Sequence, residues 1–297
     1  MQAILLAAGY GTRLRPYTTI RPKPLFPVVN RPLLHRLIEQ LQRSDCRPIL
    51  VNCHHLAPLI EAALSSWPEV LIQYEPEILG TGGSLRQALD RLDNDPVVVV
   101  NGDLYHGIDL EQVYHRHLLS KNDVTLALHD YPRFNTVGVE GDRVRSFGGG
   151  AGEQLAFTGI HVVDPETIER IPANSFHHII DLYRELAAEG RIGYCRVDGL
   201  PWRDVGTPAD YLQLHRDLLA REQGWVIDPT ARIGSDAVLE EWGCIGPGAV
   251  IGDGARLSRS VVWDGAVVAN NSIYVDAIIT GNPEVDTACH PQSESRS

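Results

Sequence analysis

The stretch AILLAAGYGTRLRP at residues 3–16 decides the fold, because an apolar run passes directly into a glycine turn and then into cations. The apolar run predicts a buried strand, and Gly9 and Gly11 let backbone N–H groups approach an anion without a side chain in the way. Arg13 can bind a phosphate through two parallel hydrogen bonds, and Lys23 adds a point charge. We therefore predict a phosphate-binding loop.

An ordinary strand-to-helix turn with solvated cations would show the same glycine spacing. The charge distribution argues against this alternative. Residues 1–38 contain no Asp or Glu but six Arg and Lys residues, in a chain whose formal charge is -12. A cationic patch on an acidic protein indicates an anionic ligand. The acidic balance argues against nucleic acid, so the anion is expected to be small.

Residues 9–16, followed by PKPLFPV at residues 22–28, resemble the signature of sugar-1-phosphate nucleotidyltransferases, the NDP-sugar pyrophosphorylases. A Walker loop is excluded because Gly-Lys-Ser/Thr is absent, and Leu14 replaces the third glycine of the dinucleotide fingerprint. The resemblance covers residues 1 to about 220. It implies attack by a sugar-1-phosphate oxygen on the α-phosphorus of a nucleoside triphosphate, with Mg²⁺ as cofactor and pyrophosphate as the leaving group.

Two periodicities divide the chain. Residues 1–222 alternate strand-like runs with amphipathic helices, which predicts an α/β nucleotidyltransferase domain with a Rossmann-like, mostly parallel sheet. Residues 225–281 show a six-residue repeat that predicts a parallel β-helix, left-handed by the resemblance, through which the chain is expected to form a homo-oligomer. The polar tail at 282–297 is expected to be disordered. The predicted interior positions include Ile227, Ile233, Leu239, Ile245, Ile251 and Leu257, and the repeat shortens by one residue near Val262.

Two carboxylates are candidate metal ligands. Asp103 follows the β-branched run at 97–100, so we expect it at the carboxyl end of a central strand beside the glycine turn, although a lone Asp there is often a helix cap. Asp204 lies in WRDVGTP at residues 202–208. Two oxygen ligands, completed by phosphates and waters, suit Mg²⁺. The residues that the resemblance makes catalytic are Arg13, Lys23, Asp103 and Asp204, the last two as metal ligands.

The segment EPEILGTGG at residues 75–83 resembles the base-binding loop of this family and precedes a helix predicted to begin near Gly83. An ionised Glu75 only accepts hydrogen bonds, which suits the adjacent N–H donors of guanine and favours GTP. A solvated loop acid is the alternative interpretation. The nucleotide-binding residues implied are Leu6, Ala8, Gly9, Gly11, Thr12, Arg13, Lys23, Glu75, Gly80, Thr81 and Gly82.

Two further segments, TVGV at 136–139 and FTGIH at 157–161, resemble those that line the sugar-phosphate pocket. The sugar-phosphate-binding residues implied are Asn101, Gly138, Thr158 and Gly159. Many members carry Glu-Lys-Pro before the second segment, whereas this chain has RSFGGG at residues 145–150. Two substrate classes stay open: a mannose- or heptose-type sugar with GTP, and N-acetylmuramate 1-phosphate with UTP.

Other classes of protein fit the sequence less well. Five scattered cysteines predict neither a disulfide framework nor a zinc site, and no stretch is apolar enough to span a bilayer. The N-terminal run lacks a basic leader, so we expect a cytoplasmic protein. A hexapeptide acyltransferase would need a histidine base, and none lies between Trp225 and Gly281. A catalytically silent regulatory subunit that binds sugar nucleotides is the remaining alternative, although such a protein could lose its catalytic residues freely.

Overall fold

A computed structural model of the chain describes residues 1–150, 152–219 and 224–289, which form two compact units. The first unit contains Met1–Gly9 and Arg36–Trp202, and the second contains Tyr10–His35 with the chain from Arg203 onward. Of the six cations in residues 1–38, all but Arg36 thus belong to the same unit as the C-terminal strands. The predicted domain boundary at residues 222–225 lies partly outside the described residues and stays a prediction.

The described residues form strands and helices with the following bounds. The strands are β1 Gln2–Leu6, β2 Pro27–Val28, β3 Arg31–Pro32, β4 Ile49–Cys53, β5 Val70–Tyr74, β6 Val97–Asn101, β7 Leu104–His106, β8 Val124–His129, β9 Asn135–Glu140, β10 Arg143–Phe147, β11 Glu153–Val163, β12 Ile192–Arg196, β13 Trp202–Asp204, β14 Trp225–Ile227, β15 Arg232–Ile233, β16 Val238–Ile245, β17 Val250–Ile251, β18 Arg256–Val262, β19 Val267–Val268, β20 Ile273–Val275 and β21 Ile278–Ile279. The α-helices are α1 Leu33–Arg43, α2 Ala57–Ala63, α3 Gly80–Ala88, α4 Leu110–Ser120, α5 Pro165–Ile168, α6 Ile179–Ala188, α7 Pro208–Leu219 and α8 Pro283–Cys289. Short 3-10 helices lie at Thr12–Leu14, Tyr17–Thr19, Lys23–Leu25 and Leu89–Arg91.

The first unit is built on one sheet with the strand order β5-β4-β1-β6-β11-β8-β12-β10-β9. Strands β5, β4, β1 and β6 are parallel, whereas β11 runs antiparallel to both β6 and β8. The predicted α/β architecture is confirmed, but the sheet is mixed and not mostly parallel. The reason is that β9, β10 and β11 follow one another through short connections, which antiparallel pairing allows and a parallel crossover does not.

Strands β1 and β6 are neighbours in this sheet, with Leu6 opposite Asn101. The backbone N–H of Gly102 donates to the carbonyl of Leu6 over 2.8 Å. Residues 97–100 are completely or almost completely buried, which confirms β6 as a central strand. The carboxyl ends of β1 and β6 therefore lie at the same edge, the edge where open α/β sheets bind ligands.

Helix α3 begins at Gly80, three residues before the predicted start near Gly83. Glycine has a low helix propensity, so the early start depends on tertiary contacts. The hydroxyl of Thr81 accepts a hydrogen bond from the N–H of Ile179 over 3.1 Å, and the N–H of Gly82 donates to the carbonyl of His177 over 2.8 Å. These contacts hold the glycine-rich segment in its first helical turn.

The C-terminal strands of the second unit pair in parallel, and the pairs follow a regular spacing. Val226 lies opposite Cys244, 18 residues later, which is three periods of the predicted repeat. The spacing falls to 17 residues between the pairs that contain Ser258 and Ser260, close to the shortening predicted near Val262. Ile245, Ile251 and Leu257 belong to the buried core of these strands.

Two positions predicted to be interior depart from this pattern. Ile227 and Ile233 are each 40% exposed. Strands β14 and β15, which contain them, pair with a neighbour on one side only within the described residues. They begin the stack among the residues that the structure describes, so no preceding strand of that part covers their side chains.

The expected disorder after Asn282 is wrong for residues 283–289, which form α8. The side-chain oxygen of Asn282 accepts a hydrogen bond from the N–H of Glu284 over 3.0 Å and thereby caps the helix start. Residues 290–297 lie outside the described residues. Among the helices that the structure describes, none combines the length and the apolar content needed to cross a membrane.

Candidate active site

A cavity of about 220 Å³ opens in the first unit at the carboxyl ends of β1, β4 and β6, next to the start of α3. Segments that are far apart in the sequence meet there. Of the predicted site residues, those that line it are Leu6, Ala8, Gly9, Glu75, Gly80, Thr81, Asn101 and Asp103. The cavity wall also contains residues that the sequence analysis did not select, namely Asn52, Ile78 and Ser84.

Asp103 lies two residues beyond β6 and lines this cavity together with Gly9. The expectation that the carboxylate follows a central strand and lies beside the glycine turn is confirmed. The side chain is half-buried, so it retains contact with solvent. Its role as a metal ligand stays a prediction.

Glu75 is completely buried in the cavity wall, which excludes the alternative that it is a solvated loop acid. Its Oε1 accepts a hydrogen bond from the Asn52 side-chain amide over 2.7 Å, and its Oε2 accepts one from the N–H of Leu79 over 3.2 Å. The Asn52 amide also donates to the hydroxyl of Ser84 over 3.0 Å, while its carbonyl oxygen accepts from the N–H of Ala7 over 2.6 Å. This network ties the ends of three strands to helix α3.

Three of the four predicted catalytic residues meet in the second unit. Lys23 Nζ lies 3.1 Å from Asp204 Oδ1, and an Arg13 guanidinium nitrogen lies 3.7 Å from Asp204 Oδ2. The Lys23 side chain is only 9% exposed, whereas the Arg13 side chain is 63% exposed. Lys23 is therefore held in one place by its surroundings, and the Arg13 guanidinium is accessible to an anion.

The backbone of the predicted phosphate loop needs glycine at residue 11. Gly11 has a φ of +60° and precedes the 3-10 turn Thr12–Leu14. A Cβ atom at this position would lie 2.8 Å from Cγ2 of Thr18, whose hydroxyl donates to the carbonyl of Gly11 over 3.1 Å. Both the dihedral angle and the space therefore exclude a larger residue.

The donor chemistry of the two predicted metal ligands fits Mg²⁺. Within the described residues there is no group of three or more His, Cys, Asp or Glu side chains that could hold a metal ion. Asp103 and Asp204 are carboxylates that solvent reaches, and Mg²⁺ commonly takes one or two carboxylates and completes its shell with waters and substrate phosphates. Magnesium binding stays a prediction.

The predicted sugar-phosphate residues are not all in one place. Asn101 lines the cavity, and Gly159 is adjacent to it, since a Cβ at residue 159 would lie 2.6 Å from Asn101 Nδ2. The hydroxyl of Thr158 instead donates to the carbonyl of Ala127 over 2.8 Å in the interior of the sheet. Gly138 lies on β9, where its neighbours are Ser146 and Gln154.

Some of the predicted nucleotide-binding residues lie away from this cavity. The N–H of Gly82 donates to the carbonyl of His177. Four others belong to the second unit, namely Gly11, Thr12, Arg13 and Lys23.

A local signal could have identified Asn52. It comes directly after the apolar residues 49–51 of β4, just as Asn101 ends the apolar run of β6. A polar residue at the end of a buried parallel strand faces the ligand edge of the sheet. The hydroxyl of Ser84 offered no comparable signal, because its role depends on where α3 packs.

The surroundings of Cys53, which follows Asn52 on β4, do not favour a nucleophilic thiolate. Burial, together with the charges of Glu61 and Glu75, raises the pKa of Cys53 to about 11. A thiol with this pKa stays protonated at neutral pH, whereas a nucleophilic cysteine needs a thiolate. Cys46, Cys195 and Cys244 are likewise buried and form no disulfide among the described residues, and the Cys289 side chain lies outside the described part of the chain.

Comparison with known proteins covers almost the whole chain. A family model described as nucleotidyl transferase matches residues 2–221, and one described as the GMPPB C-terminal domain matches residues 222–295. A mannose-1-phosphate guanylyltransferase of Mycobacterium tuberculosis is 31% identical over 90% of this chain and 81% of its own length. A D-glycero-alpha-D-manno-heptose 1-phosphate guanylyltransferase of Aneurinibacillus thermoaerophilus is 29% identical over 73% of this chain and 98% of its own length.

Solved structures show the same fold. HddC from Yersinia pseudotuberculosis superposes with a TM-score of 0.64 at 24% sequence identity, and the match covers 73% of this chain and 99% of that chain. The part of this chain that it covers is close in extent to the part matched by the nucleotidyl transferase model.

Proposed function

Because this chain belongs to the nucleotidyl transferase family, we propose that it transfers the guanylyl group of GTP to a sugar 1-phosphate of the mannose or heptose type. It is a sugar-1-phosphate nucleotidyltransferase, and the relatives named above are guanylyltransferases for mannose 1-phosphate and a heptose 1-phosphate. Those relatives support both the nucleotide and the class of sugar.

The reaction needs no covalent enzyme intermediate. A phosphate oxygen of the sugar 1-phosphate forms a bond to the α-phosphorus of the triphosphate, and the bond from that phosphorus to the β-phosphate oxygen breaks. Pyrophosphate leaves with the electron pair of that bond. The protein's contribution is to position the two anions and to neutralise the charge that develops on the leaving group.

The observation that carries the proposal is the cluster of Lys23, Asp204 and Arg13. Arg13, from the turn at Gly11, and Lys23, between Pro22 and Pro24, converge on the carboxylate of Asp204, which lies 181 residues after Lys23. Arg13, with its exposed guanidinium, is suited to the leaving pyrophosphate. Lys23, which is held firmly, is suited to the phosphates at the reacting centre.

Glu75 supports guanine recognition through the cavity wall. Both of its oxygens accept hydrogen bonds from protein N–H groups, and each carboxylate oxygen can accept a second one. The carboxylate therefore fixes the positions of Asn52 and the Leu79 backbone, and it keeps the wall rich in acceptors. Guanine, with adjacent N–H donors, matches such a wall better than uracil does.

Asp103 and Asp204 are the residues that would hold Mg²⁺. The ion would supply positive charge to the phosphate oxygens during transfer. The protein's own cations would bind the remaining phosphate charge, and the half-buried position of Asp103 leaves room for water and substrate oxygens as further ligands.

We also propose that the parallel C-terminal strands wind into a left-handed β-helix of hexapeptide repeats. The spacing of 18 and then 17 residues between paired positions supports it. The exposed side chains of Val267, Ile273 and Val275 support self-association through this part of the chain. Use of a nucleoside triphosphate supports a cytoplasmic location.

One assay tests the function. Pyrophosphate release is measured with Mg²⁺ over GTP, UTP, ATP and dTTP, each combined with the 1-phosphates of mannose, a mannose-type heptose, glucose and N-acetylmuramate. We expect release with GTP and a mannose- or heptose-type sugar, and loss of release with excess chelator. Release only with UTP and N-acetylmuramate 1-phosphate would support the alternative substrate pair. No release in any combination would contradict an enzyme and favour a silent regulatory subunit.

A further inference from the structure

Arg21 and Asp264, which are 243 residues apart, form a two-pronged ion pair inside the second unit. The two guanidinium nitrogens donate to the two carboxylate oxygens over 2.6 and 2.9 Å. The guanidinium also lies 4.5 Å from the centroid of the Trp263 ring. A guanidinium held both by a carboxylate and by an aromatic face has one orientation, which a lysine could not reproduce.

A second anchor lies a few residues after Arg21, at Phe26 and Pro27. The ring of Phe26 packs edge-on against Trp263, with centroids 4.9 Å apart. The indole N–H of Trp263 donates to the hydroxyl of Tyr211 over 3.3 Å, and that hydroxyl donates to the carbonyl of Pro27. Trp263 is 1% exposed, so it forms the buried base on which this segment rests.

Lys23 lies between these two anchors. Pro22 and Pro24 on either side of it restrict the backbone, and the N–H of Phe26 donates to the carbonyl of Lys23 over 3.0 Å. The ammonium group reaches Asp204 over 3.1 Å. The position of this ammonium group therefore depends on a short turn that is fastened on both sides to the C-terminal strands.

We propose that Asp264, acting through Arg21, is a positioning residue for the transfer reaction. It fastens the turn that contains Lys23, so that the lysine stays where the phosphates are bound. This inference rests on the proposed function, because it assumes that Lys23 contacts the phosphates of the substrate.

Two physical arguments favour positioning over a purely structural role. The side chains of Arg21 and Asp264 are 24% and 47% exposed, so solvent partly screens their attraction. Asp264→Asn keeps a side-chain oxygen that can accept from Arg21, so we expect it to change global stability only a little. A small displacement of a group that binds the reacting phosphates, in contrast, lowers a rate strongly. Burial acts to raise the pKa of Asp264, but hydrogen bonds and charge attraction from Arg21 lower it below its ordinary value, so the pair is ionised at neutral pH.

The experiment compares Asp264→Asn with a matched control, Asp276→Asn. Asp276 forms an equivalent two-pronged pair with Arg259, over 2.7 and 2.8 Å, among the same C-terminal strands. We measure kcat and KM for pyrophosphate release, the melting temperature, and hydrogen exchange of the amides in residues 17–27. For Asp264→Asn we expect kcat to fall about tenfold or more, faster exchange in residues 17–27 and little change in melting temperature. Asp276→Asn should match the wild type in kcat and in that exchange.

Several results would overturn the inference. Equal kcat in the two variants would do so, and so would a loss of kcat that merely follows a lower melting temperature. If Asp264→Asn does not fold, Arg21→Lys, which keeps the charge but loses the two-pronged geometry, is judged by the same criteria. If the wild-type protein releases no pyrophosphate with any substrate pair, the proposed function fails. Hydrogen exchange then decides the positioning role, and unchanged exchange in residues 17–27 would refute it.

Discussion

The side-chain amide of Asn52 donates a hydrogen bond to Glu75 Oε1 over 2.7 Å, and this contact braces the wall of the candidate nucleotide pocket. Each of the two side chains also accepts a second hydrogen bond, from a backbone N–H group. Asn52 accepts from the N–H of Ala7, and Glu75 accepts from the N–H of Leu79. Neither side chain can therefore rotate to suit a changed partner without losing a second hydrogen bond.

Glu75→Gln is expected to destabilise the fold by about 1–3 kcal/mol, because the new amide nitrogen must face one of two N–H donors inside the protein. Asn52→Asp with Glu75→Gln should recover much of this loss, since the new carboxylate can accept from the new amide. Chemical denaturation of the single and double variants gives the coupling energy. Glu77→Gln, an exposed neighbour, is the control. A coupling energy near zero would show that the two side chains act independently.

Asp103→Asn is expected to lower pyrophosphate release by about 100-fold or more while the melting temperature stays unchanged. The reason is that the half-buried side chain lines the pocket, where a negative charge is expected to hold Mg²⁺ and the amide has none. Asp109→Asn is the control, because this carboxylate only caps α4 by accepting from the N–H of Gln112 over 3.1 Å, which Asn can also do. If Asp103→Asn turns over as fast as the wild type, Asp103 is not a catalytic metal ligand.

Gly9→Ala and Gly11→Ala are expected to differ in their effect on stability. A Cβ at residue 9 meets nothing within 4 Å, whereas a Cβ at residue 11 meets Thr18 at a position with a φ of +60°. Gly11→Ala should therefore lower the melting temperature. Gly9→Ala should leave it unchanged and raise KM for the nucleotide, since the new methyl group occupies space at the cavity wall. Thermal melts and steady-state kinetics check both, and equal melting temperatures would contradict the strain at Gly11.

His161→Phe is expected to flatten the dependence of stability on pH in the acid range. Burial lowers the pKa of His161 to about 3, and neither ring nitrogen has a hydrogen-bond partner among the described residues. Between about pH 6.5 and about pH 3, His161 is protonated in the unfolded chain but neutral in the folded chain. The free energy of unfolding therefore falls as the pH falls through this range. Phenylalanine should remove up to about 1.4 kcal/mol per pH unit of that slope.

Urea denaturation at a series of pH values between 3.5 and 7.5, within about the window set by these pKa values, checks the slope. His115→Gln, an exposed histidine on α4, is the control and should keep the wild-type slope. Burial also lowers the pKa of His106 to about 4, so part of the slope should remain in His161→Phe. An unchanged slope in His161→Phe would mean that His161 is protonated equally in the folded and unfolded chain.

Features that depend on neighbouring residues could be predicted from the sequence. The strand at the N-terminus, the buried run at 97–100 and the turn at Gly11 follow from apolar patterning and from glycine geometry, which are local properties. Asp103 could be placed beside Gly9 because the carboxyl ends of adjacent parallel strands share one edge of a sheet. The repeat after residue 225 likewise predicted the regular spacing of parallel strands.

Features that depend on residues far apart in the chain could not be predicted in this way. The start of α3 depends on His177 and Ile179, and the burial of Glu75 depends on Asn52. Arg21 and Asp264 form an ion pair, but no sequence pattern around either residue predicts it. Patterning selects which residues are buried and where a strand ends, because these are set by a few adjacent side chains. The path of the whole chain decides which distant polar group donates to a given carboxylate. The hydrogen bond forms only when folding has brought the two groups within about 3 Å of each other.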